Sequence, residues 1–175
     1  MVAKRKPARK AADTKLTLVR MFAAPRALVF AAWTQPEHLR HWSAPHGFTI
    51  PVNEGMLKPG GKWRACMVTP DGVKLWLGGV YREIVRDRLL VFTHAWEGEE
   101  GAPETLVTVR FADHPRGTKV TLVQSGFDSS ASRDGHKGGW AECLERLAEH
   151  LTATQAKVGI SARTKASRRA IAALR

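Results

Sequence analysis

Phe92, His94 and Trp96 occupy alternate positions in the stretch DRLLVFTHAW (87–96), so on an extended strand they share one face. A histidine between two aromatics on an apolar face can hydrogen-bond the head group of a bound molecule or move a proton near neutral pH. It can equally be a core histidine satisfied by a backbone carbonyl or a water. His38, His41 and His46 form a second group, and a spacing of three residues puts the first two on one helix face, where imidazoles can ligate a metal. Glu37 is nearby, but no carboxylate or cysteine completes a recognised ligand pattern, so neither a metal nor another cofactor is expected. Cys143 lies beside an apolar helical stripe and reads as a buried structural thiol, because a nucleophilic cysteine needs a base and an electropositive setting. Ser125 in VQSGF lacks the glycine two residues earlier that a nucleophile elbow requires. Gly60-Gly61 and Gly78-Gly79 form no phosphate loop. No catalytic residue is assigned on these grounds.

Aromatic residues supply the other signal. The chain has six tryptophans and a single tyrosine, Tyr81. Trp63, Trp76 and Trp96 fall on predicted strands, Trp33 and Trp42 on or just after predicted short helices, and Trp140 on a predicted long helix. Trp63, Ala65 and Met67 share a strand face by their alternation, although parity alone does not say which face looks inward. An apolar ligand cavity is lined by such side chains with a few polar groups among them. The candidate lining is Trp33, Trp63, Met67 and Trp76, then Phe92, His94 and Trp96, and finally Phe127, Trp140 and Leu144. For each aromatic taken singly, ordinary core packing is the competing explanation.

These residues need elements to carry them. KLTLVRMF (15–22) alternates and predicts a strand. APRALVFAAWTQPEHLRHW (24–42) reads as helix, break and helix, with Pro25 suited to a first turn and Pro36 restarting the chain. FTIPVNEG predicts a short strand at a sheet edge, since Pro51 cannot donate to a ladder on both sides. Pro70-Asp71-Gly72 is turn chemistry between two alternating runs and predicts a hairpin. Three more strands follow through Phe127. A polar loop, DSSASRDGHK, then leads to a helix for which Asp134 is a candidate cap.

In that helix, GGWAECLERLAEHL (138–151), Trp140, Leu144, Leu147 and Leu151 form an apolar stripe, with Glu142, Glu145, Arg146 and Glu149 facing away. Gly138 and Gly139 each cost about 1 kcal/mol against alanine in a helix. They read as places where backbone approaches a sheet, a loop or a ligand. The order of elements lacks strand–helix alternation, so it predicts an antiparallel sheet with helices on one face and excludes a doubly wound parallel sheet.

The formal net charge of +12 sits mostly at the ends. Residues 1–13 carry a net +4, residues 154–175 a net +6, and residues 14–153 only +2. The chain therefore divides into a basic N-terminal tail (1–13), one domain (14–153) and a basic C-terminal tail (154–175) that can form a helix. A nearly neutral domain is a poor phosphate-binding surface, so contact of the tails with nucleic acid or anionic membrane is a minor reading. No apolar run approaches the roughly 18–20 residues of a membrane span, and MVAKRKPARKAAD lacks the apolar stretch of a secretory signal. A cytoplasmic protein with reduced thiols at Cys66 and Cys143 is expected.

The segments APRALVFAAWTQPEHLRHW, GGKW…PDG…GGVYREIVRDRLLVFT, TLVTVRF…GTKVTLVQSGF and HKGGWAECLERLAEHL occur in a characteristic order. Over roughly residues 14–152 this order resembles the bacterial homologues of the activator of the heat-shock protein 90 ATPase. Those belong to the START-like (SRPBCC), helix-grip superfamily. The resemblance implies an α+β fold: a curved seven-stranded antiparallel sheet wrapped around a long C-terminal helix, with two short helices after the first strand. It also implies a cavity between sheet and helix, but no single activity, because superfamily members differ in what they bind and do.

Four functions follow, in descending order. The first is binding of a small apolar or amphipathic molecule in a cavity of roughly 300–1,000 Å³. The second is a protein-interaction module of co-chaperone type. The third is an enzyme with His94 as acid or base. The last is nucleic-acid association through the tails. The sequence leaves the oligomeric state open.

Overall fold

The computed structural model describes residues 14–98 and 100–172, with side chains as far as residue 159. The basic stretch 1–13 lies outside the described residues. Strand β1 (Lys15–Phe22) is followed by helices α1 (Arg26–Thr34) and α2 (Pro36–Trp42). Strands β2 (Thr49–Gly55), β3 (Lys62–Val68), β4 (Lys74–Val85), β5 (Leu89–Trp96), β6 (Thr105–His114) and β7 (Gly117–Ser125) come next, and helix α3 (Ser130–Ala172) closes the chain. All seven strands form one sheet in the order β1-β7-β6-β5-β4-β3-β2, with every neighbouring pair antiparallel. This is the expected helix-grip arrangement.

Local chemistry explains the strand ends. In the β3–β4 turn the Gly72 N–H donates to the Thr69 carbonyl at 2.9 Å, and Gly72 has φ +91°, a conformation in which a Cβ is strained. The Thr69 hydroxyl bonds the Asp71 carboxylate and accepts the Val73 N–H, so the turn is satisfied by its own side chains. Pro51 lies on β2, which is an edge strand, and the β2–β3 register shifts between Thr49 and Val52.

Helix α3 begins earlier than its sequence predicts. Ser129 is the cap: its hydroxyl accepts the Ser132 N–H at 3.1 Å and its carbonyl accepts the Arg133 N–H at 3.1 Å. Asp134 lies inside the helix and pairs with Arg133 at 2.9 Å. Serine caps as well as aspartate, so Ser129 takes the role five residues before Asp134 and most of the supposed loop becomes helix. The added turns put Ser132, Gly135, His136, Gly139, Trp140, Cys143, Leu147 and Leu151 on one face at helical spacing. The helical backbone continues through the basic C-terminal stretch to Ala172.

The packing along α3 changes with the residues. Leu144, Leu147 and Leu151 are buried in the main core with Leu90, Phe92, Val107, Val109, Phe111, Val120 and Leu122. A second, smaller cluster of Ala44, Ile50, Ala65, Met67 and Leu77 sits at the β2–β4 end of the sheet, and Trp63 packs against both clusters. Helices α1 and α2 are tied together by the Trp42 indole N–H, which donates to the Ala32 carbonyl at 2.9 Å in a buried setting.

Leu147 is fully buried in this core. Leu147→Ala is expected to lower stability by about 2–5 kcal/mol in urea unfolding, and a loss under about 1 kcal/mol would contradict the packing described. A Cβ at Gly138 would meet nothing within 4 Å. Gly138→Ala should therefore raise stability by about 0.5–1 kcal/mol in the same measurement, and a decrease would show an unseen contact.

Candidate functional site

A pocket of about 500 Å³ lies between the two core clusters, under the N-terminal turns of α3. The sheet supplies Trp63, Ala65 and Met67 from β3, Leu75, Leu77 and Tyr81 from β4, and Leu90, Phe92, His94 and Trp96 from β5. Trp33, Leu39 and Trp42 come from the short helices, and Ser43, Pro45, Phe48 and Asn53 from the α2–β2 side. The α3 contribution is Ser132, Gly135, His136, Gly139, Trp140 and Cys143. A Cβ at Gly135 would meet no atom within 4 Å, and at Gly139 only Pro45 Cγ at 3.9 Å. These glycines therefore do not bring α3 close to the sheet or a loop. They leave its pocket face bare where leucines fill the same stripe further along.

Hydrogen bonds hold the wall. The Trp140 indole N–H donates to Gln124 Oε1 at 2.7 Å, and Gln124 Nε2 donates to the Thr105 hydroxyl at 2.8 Å. That hydroxyl donates to the His94 carbonyl at 2.9 Å. The chain of donors links α3, β7, β6 and β5, with Gln124 and Thr105 buried. On β3 the Trp63 indole N–H donates to the Thr93 carbonyl at 3.1 Å. Gly79 makes room for this, since a Cβ there would lie 1.8 Å from the Thr93 oxygen and 2.8 Å from Trp63 Nε1. Trp33 and Trp140 stack with centroids 5.7 Å apart. The Trp33 indole N–H is a buried side-chain donor with no partner among the described residues.

His94 is buried, with ring centroids 6.1 Å from Trp63, 5.6 Å from Trp96 and 5.5 Å from His136. Burial first, and the His136 imidazole second, push its pKa down to about 4. His136 Nδ1 lies 2.8 Å from the Ser132 carbonyl, which can only accept, so this nitrogen carries the proton. His136 Nε2 then accepts the Trp96 indole N–H at 3.2 Å. Burial pushes the Cys143 thiol up to about 12 and raises the Tyr81 phenol. His94, Cys143 and Tyr81 are therefore uncharged at neutral pH. A histidine that stays neutral down to about pH 4 is poorly matched to proton transfer near neutrality, and a thiol held protonated is an inert one.

The Activator of Hsp90 ATPase homolog 1-like protein family matches residues 23–152. The chain belongs to this family. Solved structures of similar proteins share the architecture of this family member. A protein from Chromobacterium violaceum is 25% identical with TM-score 0.75, over 79% of this chain and 96% of its own. One from Rhizobium leguminosarum is 29% identical with TM-score 0.71, over 79% and 94%. The AHSA1 protein from Silicibacter pomeroyi is 25% identical with TM-score 0.71, over 80% and 99%. No curated protein matches the sequence.

In this family member the pocket gathers Trp33, Trp63, Met67, Phe92, His94, Trp96 and Trp140 from the candidate lining. Trp76, Phe127 and Leu144 do not line it. Trp76 pairs with Cys66 across the β3–β4 ladder and so takes the opposite face to Ala65 and Met67, where Arg64 lies 3.8 Å from its ring centroid. Phe127 is buried against the His136 ring at 5.0 Å, behind the wall, and Leu144 is packed in the main core. The candidate lining lacks Gly135 and His136, whose spacing with Trp140 and Cys143 was hidden by starting the helix too late; Gly139, read from the sequence as a place of close backbone approach, also lines the pocket.

The histidine group also rearranges. His38 Nδ1 and His150 Nε2 are 2.7 Å apart, and His41 stacks on His150 with centroids 4.9 Å apart. His46 leaves the group: its backbone N–H donates to Glu142 at 3.0 Å and its ring lies 3.6 Å from Glu145. No set of metal-ligating side chains occurs among the described residues. Arg146 does not face away either. Its Nη1 donates to the carbonyls of Ala44 at 2.6 Å and Pro45 at 2.8 Å, strapping the pocket rim to α3. No helix among the described residues is long and apolar enough to cross a membrane.

The His94 environment sets a pH dependence. Unfolded, His94 takes up its proton as pH falls through about 6.5. Folded, it stays neutral until about pH 4. Its stabilising contribution is thus complete above pH 6.5 and is lost as pH falls toward 4, by on the order of 3 kcal/mol. His150, also lowered to about 4, by burial first and then by His41 and His38, acts in the same direction. Urea midpoints measured from neutral to mildly acid pH should fall steeply in the wild type and less steeply in His94→Gln. Parallel pH profiles would refute the assignment.

Proposed function

We propose that the chain binds a small, predominantly apolar molecule in the pocket between α3 and strands β3–β5. The observation that carries this reading is the bare face of α3. A helix accepts glycine at about 1 kcal/mol each, and Gly135 and Gly139 line the pocket at points where an added Cβ would meet nothing closer than 3.9 Å. A side chain was sterically available at both positions and the sequence does not use it. The volume of about 500 Å³ and the aromatic wall suit a ligand that loses most of its water contact on binding. The reading assigns no reaction to the pocket.

Native mass spectrometry of the full chain, after incubation with a metabolite and lipid extract, tests the proposal. The wild type should retain a small-molecule mass. Gly135→Leu, which fills the pocket from a helical position, should lose that mass while melting no lower than wild type. A bare wild-type chain in every condition overturns the reading, as does equal occupancy in Gly135→Leu. Either result favours the alternative of a protein-interaction module of co-chaperone type, which needs no cavity.

A further inference from the structure

The pocket wall also constrains what class of molecule fits. None of its lining residues is Lys, Arg, Asp or Glu. Its titratable members are Tyr81 on β4, His94 on β5, and His136 and Cys143 on α3. His136 has both ring nitrogens engaged, by the Ser132 carbonyl and the Trp96 indole N–H, so adding a proton at Nε2 breaks the Trp96 bond. An ion moved into such a wall loses its hydration and meets no opposite charge.

Two polar groups of the wall stand out: the Trp33 indole N–H, which has no partner among the described residues, and the His94 ring. His94 uses its backbone carbonyl in the chain of bonds to Gln124, but no other described residue hydrogen-bonds its ring. A neutral imidazole carries one donor nitrogen and one acceptor nitrogen. One nitrogen is engaged by His94's own backbone, and the complement of the other is a single uncharged group such as a hydroxyl. Around it stand Trp63, Phe92 and Trp96 on the sheet side, opposite the bare backbone at Gly135 and Gly139. The aromatic rings that line the sheet side offer an aromatic ligand favourable ring contacts.

We infer that the pocket selects uncharged, flat aromatic molecules bearing one hydroxyl-type group held by His94, and rejects carboxylate-bearing analogues of the same shape. This rests on the ligand-binding reading above and specifies the chemistry of that same site. The selectivity comes from the absence of any cation in the wall and not from size.

Isothermal titration of the full chain near neutral pH with 2-naphthol, 2-naphthoate and 2-methylnaphthalene tests it. These probes share a ring system and differ in the one group. The expected result is 2-naphthol at least roughly tenfold tighter than 2-naphthoate. His94→Phe should remove the advantage of 2-naphthol over 2-methylnaphthalene, and His94→Asn serves if the first variant does not fold. The wild-type comparison needs no variant at all. Naphthoate binding as tightly as naphthol overturns the inference, and so does an unchanged naphthol preference in a folded His94 variant. If no probe binds while the wild type retains an extract mass that Gly135→Leu loses, the inference fails and the ligand-binding reading stands. If no probe binds and no mass is retained, both fail.

Discussion

Everything distinctive about this molecule depends on how one helix face changes along its length. From Cys143 to Leu151 the inward stripe of α3 carries side chains that join residues of β1, β5, β6 and β7 in one buried core. From Ser132 to Gly139 the same stripe carries a serine, two glycines and a histidine. A sheet curved around a helix needs side chains to fill the space between them, and close packing tolerates few voids. Where the helix withholds those side chains, the core splits into two clusters and a pocket opens between them. The leucines hold the helix in place, and that anchoring keeps the bare turns suspended above the sheet.

Polar groups then stabilise the shape. A pocket wall of large aromatics would rearrange to fill the void if its rings were free to turn. Four indole N–H groups oppose this, each held by an acceptor. Trp140 is held through Gln124, Trp63 through the Thr93 carbonyl, Trp96 through His136 and Trp42 through the Ala32 carbonyl. The acceptors are backbone carbonyls, an amide and an imidazole, so the rings are fixed without a carboxylate or an ammonium in the wall. The rim is secured differently, by Arg146 and Glu142 on the outer part of α3 reaching back to the loop after α2. Charged groups work at the edge and neutral ones inside, as the cost of desolvating ions requires.

Much of this was legible from the residues alone. The alternating runs, the Pro-Asp-Gly turn and the closing amphipathic helix are local signals, and each produced its element. The strand parity that joined Phe92 to His94 and Trp96, and Trp63 to Met67, was correct because it follows from backbone geometry. Trp76 shows where such reasoning stops. Its own strand allowed either face, and only the β3–β4 register, pairing it with Cys66, turned it away from Met67. Phe127 and Leu144 were correctly buried but placed on the pocket instead of behind it. Burial and lining look the same in one dimension.

The sequence by itself determined the order of elements, the antiparallel class and the apolar stripe, since these depend on periodicities of two and 3.6 within a few residues. It also determined that the domain between the basic ends is nearly neutral. Only the tertiary structure decided that Gly135 and Gly139 face open space, that His136 meets Trp96, and that His150 joins His38 and His41 while His46 turns to Glu142. Those pairings join residues up to 112 positions apart. No local pattern encodes them, because the distance between two such side chains is set by where the whole sheet places the helix.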